Sequence, residues 1–224
     1  MKSNNKKKYM IISLVLLGVS IIYTILVKYV DVKAIGPQNT EVGFATLNNF
    51  VKGLLPYNET FYKISKYAGV LPFGFVGVYG LMGLISLIKS KSLKKVDKRF
   101  YVLALFYVIF VGLYIFFENV VINYRPVIKD MVIEASYPST HTLLAICLCG
   151  TSLLVSKNFV KNKTLKILFD IAAWGLMVLI VVTRLISGVH WASDIIGGII
   201  ISLTYLSFFK CSLLHLYERE LTIE

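Results

Sequence analysis

Apolar residues run through this chain in six long blocks, at about 10–30, 68–88, 101–118, 141–156, 165–183 and 194–209, separated by short polar stretches. A helix needs roughly 17 to 25 residues to cross about 30 Å of hydrocarbon, and these blocks reach or approach that length. Backbone groups in lipid must be paired within their own segment, so the blocks predict helices. The expected fold is therefore all-α, an integral-membrane bundle of six transmembrane helices. The longest connection, residues 31–66, joins the first two blocks. Within it, apolar residues at 44, 47, 50, 51, 54 and 55 recur at helical spacing. That spacing fits an amphipathic helix lying on the outer leaflet, beside the plainer reading of a covering loop. The basic start KSNNKKKY precedes a long apolar run with no small-residue cleavage site, so the first block reads as a retained anchor.

Composition agrees with the pattern: 57% of the 224 residues are hydrophobic and mean hydropathy is +0.73, values that exclude an ordinary soluble domain with one buried core. Charge adds orientation. Sixteen of the 24 Lys and Arg residues fall in the N-terminal segment, the second and fourth connections and the C-terminal tail. Basic loops stay on the cytoplasmic side, so both termini are expected there, with the 31–66 segment outside. The net charge of +12 then reflects topology and attraction to anionic headgroups, and nothing suggests a nucleic-acid module. No repeat divides the chain, which reads as one membrane-embedded domain over 1–224. Cys147, Cys149 and Cys211 imply no disulfide framework. Asn58, Glu59 and Thr60 match a glycosylation acceptor, a pattern common by chance. Gly197 and Gly198 permit close helix contact within one chain or between copies, so oligomeric state is left open.

Three short segments hold most of the polar groups that look out of place: ENVVINYRP (118–126), YPSTH (137–141) and TRLISGVHWASD (183–194). In the expected topology all three emerge on the outer face, at the ends of helices three to six. Ionisable groups at membrane depth are costly and by default suggest function, although one Arg or His near the surface is more often an interfacial anchor. Arg125 and Arg184 are permanent cations whose forks match phosphate oxygens. Ser139 stands where a cap belongs, before a new helix whose first amides suit an anion. His141 follows in the first turn. His190 and Asp194 are four apart, one face of a helix, so the carboxylate could fix the imidazole tautomer. Two histidines and an aspartate are also a zinc set, but two neighbouring arginines would repel a cation.

These segments resemble the three phosphatase motifs of the type 2 phosphatidic acid phosphatase family, membrane relatives of bacterial acid phosphatases and vanadium haloperoxidases. The third motif fits in full: Arg184, five residues, His190, three residues, Asp194. The second, usually Pro-Ser-Gly-His, is Pro138, Ser139, Thr140 and His141, and the first ends in Arg125 and Pro126. The resemblance implies that His190 attacks phosphorus while Asp194 orients it. His141 would protonate the leaving oxygen and then activate water, and Arg125, Arg184, Ser139 and the Thr140 amide would hold the phosphoryl oxygens. No metal or other cofactor is implied. Partners would be the bilayer and a lipid phosphate or diphosphate of the phosphatidate, phosphatidylglycerophosphate or undecaprenyl diphosphate type, met on the extracytoplasmic side of a bacterial plasma membrane.

The chain departs from the family where its first motif begins with Lys, because Glu118 stands there. Glu118 would either pair with Arg125 two turns away or line a cavity, and Lys129 is expected to supply the missing cation. Thr140 replaces a Gly that lets backbone approach phosphate, and Thr183 replaces a Ser. Two rivals to hydrolysis follow: transfer of the phosphoryl group to another lipid at the same site, and non-catalytic binding or transport of anionic lipid, which Glu118 favours and the two histidines oppose.

Overall fold

The computed structural model describes residues 2–129 and 131–223. It contains α1 (Lys2–Tyr29), α2 (Ala45–Leu54), α3 (Glu59–Ala68), α4 (Pro72–Ser90), α5 (Lys98–Asn119), α6 (Thr140–Phe159), α7 (Lys163–Ile186) and α8 (Ala192–Ile223). Among the described residues, six spans are long and apolar enough to cross a membrane, one being the bent pair α3–α4. No β-strand occurs among the described residues, only isolated bridges such as Tyr124 with Ala135. The all-helical expectation and its six spans therefore hold. Lys2 and Arg219, counted in the charge argument, lie outside the residues whose side chains are described.

α6 and α8 form the centre. α6 is buried along most of its length, against α7, α8 and α4, while α1 lies along α8. The outward faces of α1, α5 and α7 carry Ile11, Val108 and Ile171, all exposed as lipid contact requires. Lipid is as apolar as leucine, so small residues and hydrogen bonds must hold such helices together, at roughly 0.6 to 2 kcal/mol for each bond. Between α1 and α8 those bonds are Ser13 to Ser207, 2.8 Å, and Ser20 to Thr204, 2.7 Å.

Two glycines of α8 decide how closely the α6 start approaches. A Cβ on Gly197 would sit 2.3 Å from the Tyr137 ring, and one on Gly198 would sit 3.1 Å from Thr142. Close contact within the chain is thus what this pair provides. It brings the Ser139 amide to 3.0 Å from the Asp194 carbonyl and so joins the second and third polar segments.

The 31–66 segment contains two helices. α2 matches the amphipathic reading: Leu47, Phe50 and Leu54 are exposed while Ala45 and Asn48 are buried. α3 was not legible as a helix, because Glu59, Lys63 and Lys66 interrupt its apolar pattern. Asn58 caps it, its side chain accepting from the Phe61 amide at 3.2 Å.

Candidate active site

The last turns of α5 and α7 and the first turns of α6 and α8 meet at one end of the bundle, where the three polar segments converge. Asp194 organises the centre. Trp191 precedes the first residue of α8, and its amide donates to Asp194 Oδ2 at 2.9 Å, the backward bond of a capping box. Ser136 Oγ donates to the same oxygen at 2.5 Å, and Asn123 Nδ2 donates to Oδ1 at 3.3 Å. The carboxylate is fully buried and held from three chain segments.

His190 lies just before α8, with its side chain 1% exposed. Its Nδ1 is 3.1 Å from Ser136 Oγ and 3.8 Å from Asp194 Oδ2, so the aspartate reaches it through a hydroxyl. Its Nε2 is buried without a hydrogen-bond partner. Burial, and then the charges of Arg125 and Arg184, push the imidazole well below its ordinary pKa and keep it neutral.

His141, in the first turn of α6, has the complementary arrangement. Arg184 Nη2 lies 2.8 Å from His141 Nδ1. A guanidinium only donates, so Nδ1 accepts and the ring proton sits on Nε2. One histidine thus has an unpartnered Nε2 and the other an Nε2–H.

Arg184 is 1% exposed at the end of α7. It also donates from Nη1 to Ser65 Oγ at 3.1 Å, and its guanidinium lies 5.4 Å from the Tyr62 ring centre. Arg125 pairs with Glu134 at 2.5 Å, so Glu134 takes the place suggested for Glu118. The Nε atoms of both arginines are buried without partners. Such orphaned donors cost about 1 to 3 kcal/mol each, or more when charged, and a phosphoryl group would satisfy them.

Ser139 stands at the N-cap of α6, yet its side chain does not cap the helix; instead Thr142 Oγ1 donates to its Oγ at 3.0 Å. The cap role expected of its hydroxyl is therefore corrected: that oxygen serves Thr142 across the first turn. Arg125, Thr140, His141, Glu118 and Glu134 share the wall of a cavity of about 710 Å³, which Phe110 and Leu144 make apolar toward the bundle. Glu118 thus lines the cavity. Lys129 lies to one side, its Nζ 3.1 Å from Glu59 and 3.5 Å from the Tyr62 ring centre. Among the described residues no group of three or more His, Cys, Asp or Glu is placed to hold a metal ion.

Sequence reasoning missed Ser136, Asn123, Glu134 and Ser65. Asn123 and Ser136 lie in or beside the polar segments, a usable signal; Ser65 carried none. It also missed Gly69, at the bend between α3 and α4. A Cβ there would sit 2.7 Å from His141 Cδ2 and 3.1 Å from the Ser65 carbonyl. Gly69→Ala is expected to push the imidazole aside and slow turnover roughly a hundredfold, the effect of about a 1 Å misplacement. Steady-state kinetics beside a thermal melt would check this, and unchanged turnover would show that the ring has room to move.

The PAP2 superfamily model matches residues 115–215, a segment holding all three motifs and excluding α1 to α4. Among solved structures, the chain is similar to a transmembrane PAP2 type phosphatidylglycerolphosphate phosphatase from Bacillus subtilis. The TM-score is 0.54 at 19% identity, covering 93% of this chain and 96% of that one, a likeness of fold. Among curated proteins, nothing matches.

Proposed function

Because this chain belongs to the PAP2 superfamily, the type 2 phosphatidic acid phosphatases, we propose that it is a multi-pass membrane phosphatase that hydrolyses a lipid phosphomonoester or diphosphate through a phosphohistidine. The observation that carries the reading is the contrast between the two Nε2 atoms, one buried without a partner and the other left with the ring proton by the contact of Arg184 with Nδ1. In the first step the His190 Nε2 lone pair forms a bond to phosphorus, the ester P–O bond breaks, and the leaving oxygen takes the His141 Nε2 proton, the negative charge left on that ring being held by the Arg184 guanidinium at Nδ1. In the second, His141 accepts a proton from water, the oxygen bonds to phosphorus, and the P–N bond breaks. His190 is left neutral and His141 again holds its proton. Arg125, Arg184 and the amides at the α6 start stabilise the charge that spreads over the phosphoryl oxygens. Ser139 and the Thr140 amide belong to that cradle, and Lys129 joins it if its pair with Glu59 opens.

The site lies at one end of the bundle, which suits a substrate whose tail stays in the bilayer. By the distribution of basic residues that end faces away from the cytoplasm. The substrate is of the phosphatidate, phosphatidylglycerophosphate or undecaprenyl diphosphate type, and the location a bacterial plasma membrane.

The test is phosphate release by the detergent-purified protein from a panel of these lipids, with and without a chelator. Release that survives chelation is expected. Loss of release on chelation would overturn the metal-free mechanism, and conversion of lipid without free phosphate would reveal transfer to another lipid. An inert protein that still binds lipid phosphate would return the reading to anionic-lipid binding.

A further inference from the structure

In the family-based reading Asp194 orients His190, yet the carboxylate oxygen lies 3.8 Å from Nδ1, beyond hydrogen-bond range. Ser136 fills the gap. It is 1% exposed, its amide donates to the Asn123 carbonyl at 2.8 Å, and its Oγ lies 2.5 Å from Asp194 Oδ2 and 3.1 Å from His190 Nδ1.

The hydroxyl has one proton to give. Asp194 Oδ2 already accepts from the Trp191 amide, and an ionised carboxylate donates nothing, so the Ser136 proton points to Asp194. Its remaining bond to Nδ1 is then made as acceptor, which places a proton on Nδ1 and the lone pair on Nε2.

Resting on the proposed mechanism, we infer that Ser136 is a positioning residue for the nucleophile: its hydroxyl relays the Asp194 carboxylate to His190 Nδ1–H and so holds the Nε2 lone pair ready for phosphorus. No proton moves along the relay. When the N–P bond forms, the ring becomes cationic, and the Ser136 oxygen, polarised by Asp194, faces that charge.

The test reads the tautomer directly, without substrate. The chain has three histidines, so protein labelled with ring-¹⁵N histidine gives few signals, and those lost in His190→Gln are assigned to His190. The wild type is expected to show a protonated Nδ1 and a bare Nε2. Ser136→Ala is expected to mix the two tautomers and to lower kcat at least about tenfold, short of the roughly 10⁴-fold loss seen where a histidine is locked in the wrong tautomer. KM should stay within about twofold, because the serine lies behind the ring and away from the phosphate. Ser136→Thr, which keeps the hydroxyl, should restore the tautomer and much of kcat. A wild-type His190 protonated on Nε2, or a Ser136→Ala variant whose tautomer is unchanged, would overturn the role of Ser136. An inactive wild type would instead count against the proposed function, with the tautomer spectrum still deciding the relay.

Discussion

His190→Gln is expected to abolish phosphate release, by at least ~10⁴-fold, while the protein still folds and still binds lipid phosphate. Glutamine is close to histidine in volume but presents no ring nitrogen to phosphorus. The stability effect should be small. The Nε2 atom makes no hydrogen bond, so its loss strands nothing, and the bond from Nδ1 to Ser136 is worth about 1 kcal/mol. The decisive measurement is wild-type protein incubated with ³²P-labelled lipid phosphate and quenched in alkaline detergent. An acid-labile, base-stable label on the wild type and none on the variant would mark a phosphohistidine. Turnover that persists in the variant would sink the mechanism. A further consequence concerns pH: because the buried ring stays neutral below its ordinary range, the acid limb of kcat/KM should lie under pH 6.5.

Arg184→Met should show the second largest loss, about 10³-fold in kcat/KM, in keeping with removal of a transition-state donor. The side chain does two things at once. It brings a buried positive charge whose Nε is free for a phosphoryl oxygen, and it holds His141 in the tautomer that can release a proton. Methionine fills much of the volume and takes away both. Replacing a buried ion with an apolar group of similar size is often neutral or stabilising, although Ser65 and His141 lose a donor here. Thermal melting is therefore expected to move little while activity collapses. Arg184→Lys is the useful control. One ammonium cannot bond Ser65, His141 and phosphate as the fork does, so it should recover only a small part of the rate. Near wild-type activity in the lysine variant would mean that charge alone is needed and that the geometry around His141 is incidental.

The six spans were legible because lipid makes composition decisive: any long apolar block must be a helix. Their ends were less so. α1 begins at Lys2 and α8 continues to Ile223, since polar residues can extend a helix beyond the hydrocarbon without any change in its backbone. α3 was hidden because its charges mask the face it turns toward α7. The motif residues Arg125, His141, Arg184, His190 and Asp194 could be named because their spacing carried information. Their partners could not. Ser65 meets Arg184 from 119 positions away, and Asn123 meets Asp194 from 71, distances over which sequence spacing says nothing. Of the two places open to Glu118, beside Arg125 or on a cavity wall, it takes the second, because α5 ends at Asn119 and helical register does not carry on to Arg125. The chain then turns back on itself, with the Arg125 amide donating to the Glu134 carbonyl at 3.0 Å, and brings Glu134 to that arginine instead.

The paired histidines have a consequence for how such a site can run within a membrane. The resting pair holds one mobile proton in total. In the proposed mechanism it leaves with the alcohol in the first half of the cycle and is replaced from the attacking water in the second. Each turnover therefore closes its own proton circuit, with water as both reactant and refill. Such a site requires no proton wire to the bulk on either side, and catalysis could proceed without drawing on the proton gradient of the membrane that houses it.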